Sequence, residues 1–318
     1  MSPKIVALSL CGSCNLRCWF CRVGTSLRHV HRKPMHPDLV KEILPLFPSA
    51  QRYRLGAQCE PTLNTYVEEI VQLLVDAEKN VSLITNGTRL VNLDLPWDQL
   101  NSVNVSLNEC NARDYFITAG KDFFRKAVSG IEKVVAADAR VSVSFVMHRG
   151  NFEKVVDYVE FAKQLGASKA NLFLYVEPFT QQTDAAQTIE EFAQLQRAAV
   201  RELLQHQAAV DELGIKVAWP KVADPSRPLS GGCTQAQRRL DIDGAGDVAL
   251  CCSGRGPRPE MGNVLEAGPT VYDTGPMAEL RARVLGPPDD RPEKCKICRH
   301  NYEEFVDDGI LRIGSKAR

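Results

Sequence analysis

The chain has 318 residues, enough for one large domain or for a large domain with a smaller one. Hydrophobic residues make up 44% of the sequence and charged residues 25%, which is typical of a globular protein. Because the formal net charge is zero, no overall electrostatic attraction favours nucleic acid or an anionic membrane as a partner. No apolar run is long enough to cross a bilayer, and the N-terminus resembles a first strand more than a signal peptide, so the sequence predicts a cytoplasmic protein.

Residues 4–175 repeat one pattern, in which a short β-branched run precedes an amphipathic helix. The predicted strands are 4–10, 52–55, 81–84, 102–107, 141–146 and 170–175. The predicted helices are 37–46, 65–79, 122–136 and 151–165, with Asn151 as the N-cap of the last. This alternation predicts an α/β fold of parallel strands with crossover helices, either a barrel or an open sheet.

The pattern changes after this region. A long helix is predicted over 187–213 and a further strand over 215–219. Residues 220–232 are rich in Pro, Ser and Gly and are predicted to be a linker. Beyond them, two short runs at 238–242 and 248–252 flank a glycine-rich turn and predict a β-hairpin. A hairpin with so small a core needs a covalent or metal staple.

Eleven cysteines are many for a chain expected in a reducing compartment, where structural disulfides are rare. Cys14, Cys18 and Cys21 have the spacing C-x3-C-x2-C directly after the first predicted strand. Tight grouping of this kind is typical of metal ligands. Three thiolates leave one iron of a [4Fe–4S] cluster without a protein ligand, and an open position is what a catalytic metal site keeps. Zinc, completed by His29 or His31, is the alternative.

This first group, with Phe20 before its third cysteine, resembles the C-x3-C-x-aromatic-C motif of the radical S-adenosylmethionine (SAM) superfamily. The resemblance implies that the open iron chelates the amino and carboxylate groups of SAM. It further implies that reductive cleavage yields methionine and a 5′-deoxyadenosyl radical, which abstracts hydrogen from a substrate. The family fold is a partial (β/α)6 TIM-like barrel, and the resemblance places its core at residues 4–180.

Other stretches are similar to the family in the same order along the chain. Gly56 and Glu60 lie in the sequence GAQCEP, similar to the family's GGEP segment, which receives the amino group of SAM; an alanine replaces the second glycine. Asn86 follows the third strand, as in many relatives. Ser106 and Asn108 lie at the end of the fourth strand and resemble family residues that hydrogen-bond the ribose or carboxylate of SAM. All of these lie at carboxyl ends of strands, where barrel active sites gather.

A second cysteine group lies in the C-terminal part. Cys233, Gly246 and Cys251 have the spacing C-x12-G-x4-C, and Cys295 and Cys298 follow as a C-x2-C pair. This pattern resembles the SPASM/twitch extension of a subset of the superfamily, in its shorter twitch form. The resemblance implies one auxiliary [4Fe–4S] cluster that is saturated by these four thiolates and can conduct an electron. Structural zinc is the alternative, because two separated cysteine pairs also suit that metal.

Four thiols lie outside these groups: Cys11, Cys59, Cys110 and Cys252. Buried inert thiols are the ordinary interpretation of each. Relatives that epimerise a carbon centre use a cysteine in this general region to return a hydrogen atom to the substrate radical. For an epimerase, the resemblance makes Cys252 the first candidate donor and Cys59 the second.

Taken with the resemblance, these patterns predict a radical SAM oxidoreductase that dehydrogenates or epimerises a small sugar-like or aminocyclitol-like metabolite. The alternatives are an enzyme that modifies a ribosomally made peptide and a non-catalytic scaffold stapled by zinc. Most peptide-modifying relatives carry an N-terminal leader-binding domain, and the few residues before Cys14 therefore favour a small molecule. A flavodoxin- or ferredoxin-like reductant is implied, with no nucleic-acid or membrane partner. The predicted domains are the barrel at 1–219, the linker at 220–232 and the auxiliary cluster domain at 233–318.

Overall fold

A computed structural model describes residues 2–21, 23, 33–56, 59–175, 188–251, 258–296 and 298–305. The strands are β1 (Ile5–Ser9), β2 (Arg52–Leu55), β3 (Asn80–Thr85), β4 (Ser102–Ser106), β5 (Val141–Met147), β6 (Lys169–Leu174), β7 (Lys216–Ala218), β8 (Val222–Pro228), β9 (Arg239–Asp243), β10 (Asp247–Ala249), β11 (Arg258–Asn263) and β12 (Tyr302–Phe305). The helices are α1 (Pro37–Leu46), α2 (Val67–Asp76), α3 (Ala112–Ala119), α4 (Phe124–Ala136), α5 (Val155–Gln164), α6 (Ile189–Leu204), α7 (Gln207–Glu212), α8 (Thr234–Arg238), α9 (Val264–Ala267), α10 (Gly275–Leu285) and α11 (Glu293–Lys296). Short 3₁₀ turns connect several of them.

Strands β1 to β7 lie side by side in chain order and pair in parallel. Parallel neighbours need a crossover connection, and the amphipathic helices between the strands supply it. Each helix buries its apolar stripe, as Ile70, Val71 and Leu74 of α2 show. The predicted α/β fold with a partial TIM-like barrel is therefore confirmed, and the six predicted strands of this region agree with β1–β6 to within one or two residues.

Two details differ from the sequence-based expectations. The helix predicted over 187–213 is divided into α6 and α7, because Gln205 N–H and His206 N–H bond three residues back and tighten the turn. Asn151 does not cap α5 through its side chain. Instead, Asn151 Oδ1 accepts from His148 N–H at 2.7 Å and Nδ2 donates to the Val146 carbonyl, so the side chain closes the end of β5.

The C-terminal hairpin is continuous with the main sheet. Strand β9 pairs in parallel with β1, and β10 and β11 then extend the sheet with antiparallel pairing. All five residues of β9 are buried. The predicted hairpin at 238–252 is present in β9 and β10, and its core is shared with the parallel sheet through Leu240 and Ile242.

Part of the predicted linker is a strand. Residues Val222–Pro228 form β8, which pairs antiparallel with β12 in a separate two-stranded sheet. A two-stranded sheet has only edge strands, and these tolerate the prolines of β8. Within the ranges that the structure describes, no helix combines the length and the apolar character needed to span a bilayer.

Candidate active site

The first cysteine group lies in the loop that follows β1, at the carboxyl end of the parallel sheet. Cys14, Cys18 and Cys21 are all half-buried. Burial raises the pKa of Cys14 to about 11 and that of Cys18 to about 12. A negative charge on Cys21 would raise both pKa values further, and Cys14 acts on Cys18 in the same way. The three sulfurs of the predicted group are therefore brought within electrostatic range of one another.

A polar network ties this loop to the end of β3. Asn86 Nδ2 donates to Asn15 Oδ1 at 2.7 Å and contacts Cys14 Sγ at 3.7 Å. Asn15 Nδ2 donates to Thr88 Oγ1 at 2.8 Å, and the Thr88 hydroxyl donates to Asn86 Oδ1 at 2.8 Å. Asn86 was predicted from its place after the third strand. Asn15 and Thr88 were not, although each is a polar residue directly beside a predicted motif.

Glu60 is a buried carboxylate between the ends of β2 and β3. Its Oε1 accepts from the Thr62 N–H and hydroxyl and from the Thr85 hydroxyl, while Oε2 accepts from Asn86 N–H at 2.6 Å. Burial raises the pKa of Glu60, and these hydrogen bonds oppose the rise. In addition, Glu60 N–H donates to the Ser13 carbonyl at 2.9 Å. Glu60 thus links the cysteine loop to the ends of β2 and β3.

Gly56, at the end of β2, allows a close approach of the backbone to β3. Its φ is +102°, and a Cβ there would lie 2.2 Å from the Ile84 carbonyl oxygen. Only glycine can adopt this positive φ and fit so close to the Ile84 carbonyl without strain. The residues that follow it in GAQCEP, 57 and 58, lie outside the described residues.

Ser106 and Asn108 lie at the end of β4, as predicted. Asn108 is buried with a φ of +65°. Its Nδ2 donates to the Ser106 carbonyl at 3.3 Å, and its Oδ1 accepts from Val146 N–H at 3.2 Å. These bonds hold the end of β4 against β5. Next to it, the buried Glu109 accepts from the hydroxyls of Thr118 and Tyr158.

Aromatic rings form one wall beside the cysteine loop. Trp19 contacts Phe20, His148 and Tyr175 edge-on, with ring centroids 5.5, 5.4 and 5.0 Å apart. The three neighbours restrain the indole, yet Trp19 remains 40% exposed. A restrained and exposed indole offers a flat apolar surface to a bound molecule. Phe20 was predicted from the cysteine motif, and Trp19 was not.

Two of the leftover thiols are neighbours. Cys11 N–H contacts Cys59 Sγ at 3.4 Å, and Cys11 Sγ donates to the Glu60 carbonyl at 3.1 Å. The side-chain hydrogen bond with Cys59 lowers the pKa of Cys11 to about 7, although burial opposes it. Cys110 is separate from this pair, and burial raises its pKa. Cys252, the first candidate donor, lies outside the described residues.

The second cysteine group is assembled from distant parts of the chain. Cys233 precedes α8, Cys251 follows β10, Cys295 lies on α11, and Cys298 follows it. Burial raises the pKa of Cys298 to about 12, and negative charges on the other three cysteines would raise it further. The other three sulfurs therefore lie within electrostatic range of Cys298. Asn301 holds the C-x2-C turn, since its Nδ2 donates to the Cys295 carbonyl at 2.8 Å.

Neither thiol group is drawn closely around one point. Within the described ranges, no set of three or more His, Cys, Asp or Glu side chains is arranged to hold a single metal ion. His29 and His31, the candidate zinc ligands near the first group, lie outside those ranges.

The sequence profile of the Radical SAM superfamily matches residues 8–176, which contain the cysteine loop and strands β2–β6. The chain belongs to the radical SAM superfamily. Membership implies a [4Fe–4S] cluster and SAM as cofactors of this radical SAM protein.

Two curated relatives of this radical SAM protein are named as GTP 3′,8-cyclases. The probable GTP 3′,8-cyclase of Pyrococcus abyssi is 29% identical over 169 residues, which are 50% of this chain and 53% of that protein. The GTP 3′,8-cyclase of Actinobacillus succinogenes is 24% identical over 270 residues, 78% of this chain and 77% of that protein. The chain spans about half the length of the first curated relatives it matches.

Among solved structures, Streptococcus suis SuiB bound to precursor peptide SuiA has a TM-score of 0.67 with this chain at 15% identity. The alignment covers 97% of this chain and 76% of that one. At this level of identity the likeness shows the fold alone.

Proposed function

We propose that Cys14, Cys18 and Cys21 are the ligands of the SAM-binding [4Fe–4S] cluster. The observation that carries the proposal is the placement of three half-buried cysteines in one loop at the carboxyl end of the sheet. Three thiolates fit a cubic cluster that keeps one iron open. When bound, the cluster and SAM supply a 5′-deoxyadenosyl radical that abstracts hydrogen from the substrate.

The residues around the loop prepare the SAM site. Among the described residues, three donors bond to Glu60 Oε1 and one, Asn86 N–H, bonds to Oε2, and a carboxylate oxygen has two acceptor positions. One position on Glu60 Oε2 therefore remains for the amino group of SAM. Gly56 contributes a backbone that lies close to β3, which suits the approach of a ligand.

Four further residues complete the proposed SAM site. Asn86 fixes the loop by its bonds to Asn15 and Glu60. Phe20 lies beside the third cysteine and supplies an apolar surface. Ser106 and Asn108, at the end of β4, are proposed to bind the ribose or carboxylate of SAM. Asn108 already bonds to β4 and β5, so its side chain is held in place before the ligand arrives.

We propose that Cys233, Cys251, Cys295 and Cys298 hold one auxiliary [4Fe–4S] cluster in a twitch-type domain. The proximity of the other three sulfurs to Cys298 supports this assignment. Four thiolates saturate such a cluster, so this site would transfer electrons and would not bind SAM. Structural zinc is the alternative, and metal analysis separates the two because only the cluster contains iron and acid-labile sulfide.

The substrate is proposed to be a small metabolite that is dehydrogenated or epimerised. The names of the two curated relatives give GTP as their substrate, which supports the size class of the substrate and not its identity. The exposed indole of Trp19 offers a surface for such a molecule beside the cysteine loop. A peptide remains the second candidate, because SuiB shares the fold and its solved complex contains a precursor peptide.

For an epimerising reaction we propose a cysteine thiol as the hydrogen-atom donor, with Cys252 first and Cys59 second. Cys59 lies in the turn after β2, next to the proposed SAM ligand Glu60. Its contact with Cys11 places a second thiol beside it. A flavodoxin- or ferredoxin-like protein stays the proposed source of electrons.

The deciding experiment is anaerobic reconstitution with iron and sulfide, followed by metal counting and a SAM cleavage assay with a strong reductant. We expect two clusters in the wild-type protein and one in the Cys14→Ala/Cys18→Ala/Cys21→Ala variant, which should release no 5′-deoxyadenosine. Cys110→Ala removes a half-buried thiol outside both groups, and it should keep both clusters. If reconstituted wild-type protein releases no 5′-deoxyadenosine, the proposed function is wrong.

A further inference from the structure

Tyr115 carries a buried hydroxyl group without an evident structural purpose. The side chain belongs to α3 and is 1% exposed. Among the described residues, no hydrogen-bond partner lies near its Oη. A buried polar group that lacks a partner is costly, so each such group in a folded protein calls for an explanation. A partner that is bound only in the working enzyme would provide one.

Helix α3 lies directly against the cysteine loop. Arg17 N–H donates to the Ala119 carbonyl at 2.8 Å, and Trp19 N–H contacts the Thr118 carbonyl at 3.4 Å. The last turn of α3 therefore holds the backbone on both sides of Cys18. Tyr115 lies one turn earlier on the same helix, four residues before Ala119, and so on the same face.

The surroundings of the Tyr115 hydroxyl identify what it faces. Burial is the main cause that raises its pKa, and negative charges on Cys18, Cys14 and Glu60 raise it further, in that order. Cys14 and Cys18 also pack against the apolar core to which the Tyr115 ring belongs. The unpartnered hydroxyl thus lies in the neighbourhood of the Cys14 and Cys18 sulfurs.

We propose that the Tyr115 hydroxyl donates a hydrogen bond to a sulfur atom of the cluster held by Cys14, Cys18 and Cys21, and thereby raises its reduction potential. This inference rests on the ligation proposed above. The added electron increases the negative charge on the cluster sulfurs. A hydrogen-bond donor then stabilises the reduced form more than the oxidised form.

The chain offers a matched control in Tyr53 on β2. Its side chain is also 1% exposed, and its Oη also lacks a partner among the described residues. The pKa of Tyr53 is raised to about 12 by burial alone, and no cysteine contributes. Tyr53→Phe therefore makes the same chemical change away from the sulfurs.

The test is a potentiometric titration of the wild-type, Tyr115→Phe and Tyr53→Phe holoenzymes, monitored through the EPR signal that changes when SAM is added. That change separates the SAM-binding cluster from the auxiliary one. We expect Tyr115→Phe to keep the wild-type iron content while its midpoint potential becomes more negative. The loss of one hydrogen bond to a charged group should shift the equilibrium between oxidised and reduced cluster roughly fivefold or more. Tyr53→Phe should titrate like the wild type.

Thermal unfolding of the cluster-free proteins provides a second readout if Tyr115→Phe assembles its cluster poorly. Because the hydroxyl has no partner there, apo Tyr115→Phe should unfold at the wild-type temperature or above it. A large loss of apo stability in Tyr115→Phe alone would mean that the hydroxyl bonds to the protein, and it would overturn the inference. A Tyr115→Phe variant with full iron content and an unchanged midpoint potential would also overturn the inference. If the wild type and Tyr53→Phe lack a SAM-sensitive cluster, the proposed ligation fails as well.

Discussion

The backbone N–H of Asn86 donates to Glu60 Oε2 across 2.6 Å and joins the ends of β2 and β3 beside the cysteine loop. Both residues are buried, at 6% and 2% exposure, so the bond is protected from water. Asn86 also bonds through its side chain to Asn15, the residue after Cys14. One pair of residues therefore sets the position of the cysteine loop relative to two strands.

Glu60→Gln tests the carboxylate. A glutamine has one carbonyl oxygen, so the donors that now bond to both oxygens of Glu60 cannot all be satisfied. We expect the free energy of unfolding of the apo-protein to fall by about 1–3 kcal/mol, as measured by urea titration. Glu132→Gln, at an exposed position of α4, should leave it unchanged. Equal effects of the two variants would contradict the described network.

Asn86→Ala removes the bridge to the cysteine loop. The variant loses the bonds to Asn15 and Thr88 and the contact with Cys14, and we expect a destabilisation of about 1–3 kcal/mol. The first cluster should also be lost faster to an iron chelator, while the auxiliary cluster is lost at the wild-type rate. Asn92→Ala, at an exposed position after β3, is the control. Wild-type chelation kinetics in Asn86→Ala would show that the network does not support the loop.

Gly56→Ala tests the close approach of β2 and β3. A methyl group would lie 2.2 Å from the Ile84 carbonyl oxygen, and φ of +102° is unfavourable for alanine. We expect a loss of at least about 1–3 kcal/mol in the free energy of unfolding. Gly214→Ala also changes a glycine with positive φ, +69°, but no atom lies within 4 Å of its new methyl group. Its cost should be the smaller of the two.

Asp241→Ala tests the junction between the C-terminal hairpin and the parallel sheet. Arg239 and Asp241 form an ion pair on β9 and are 2% and 0% exposed. Removing the carboxylate leaves the buried Arg239 guanidinium without this ion-pair partner. We therefore expect the free energy of unfolding, measured by urea titration, to fall by about 3–5 kcal/mol. The exposed pair of Arg227 and Glu303 is the matched control, since Glu303→Ala should cost less than about 1 kcal/mol. A mild effect of Asp241→Ala would argue against the burial of β9 beside β1.

The sequence was sufficient for the elements whose signal is local. The strands are short runs that alternate along the chain with helices of period 3.6 residues, so β1–β6 and α1 could be predicted closely. The first cysteine group could be recognised because its three cysteines lie within one loop. Helix α3 was missed, although Asn111 caps it by accepting from Asp114 N–H.

The tertiary structure decided the contacts between residues that are far apart in the chain. The pairing of β9 with β1 makes the small hairpin part of the main sheet, and no local pattern indicates a neighbour more than two hundred positions away. Local patterns also do not indicate that Tyr115 lies near Cys14 and Cys18, or that Asn15 bonds to Thr88. Composition and periodicity report which face of an element is buried. Which side chains meet there depends on how the elements pack, and that packing determines the environment of the sulfurs.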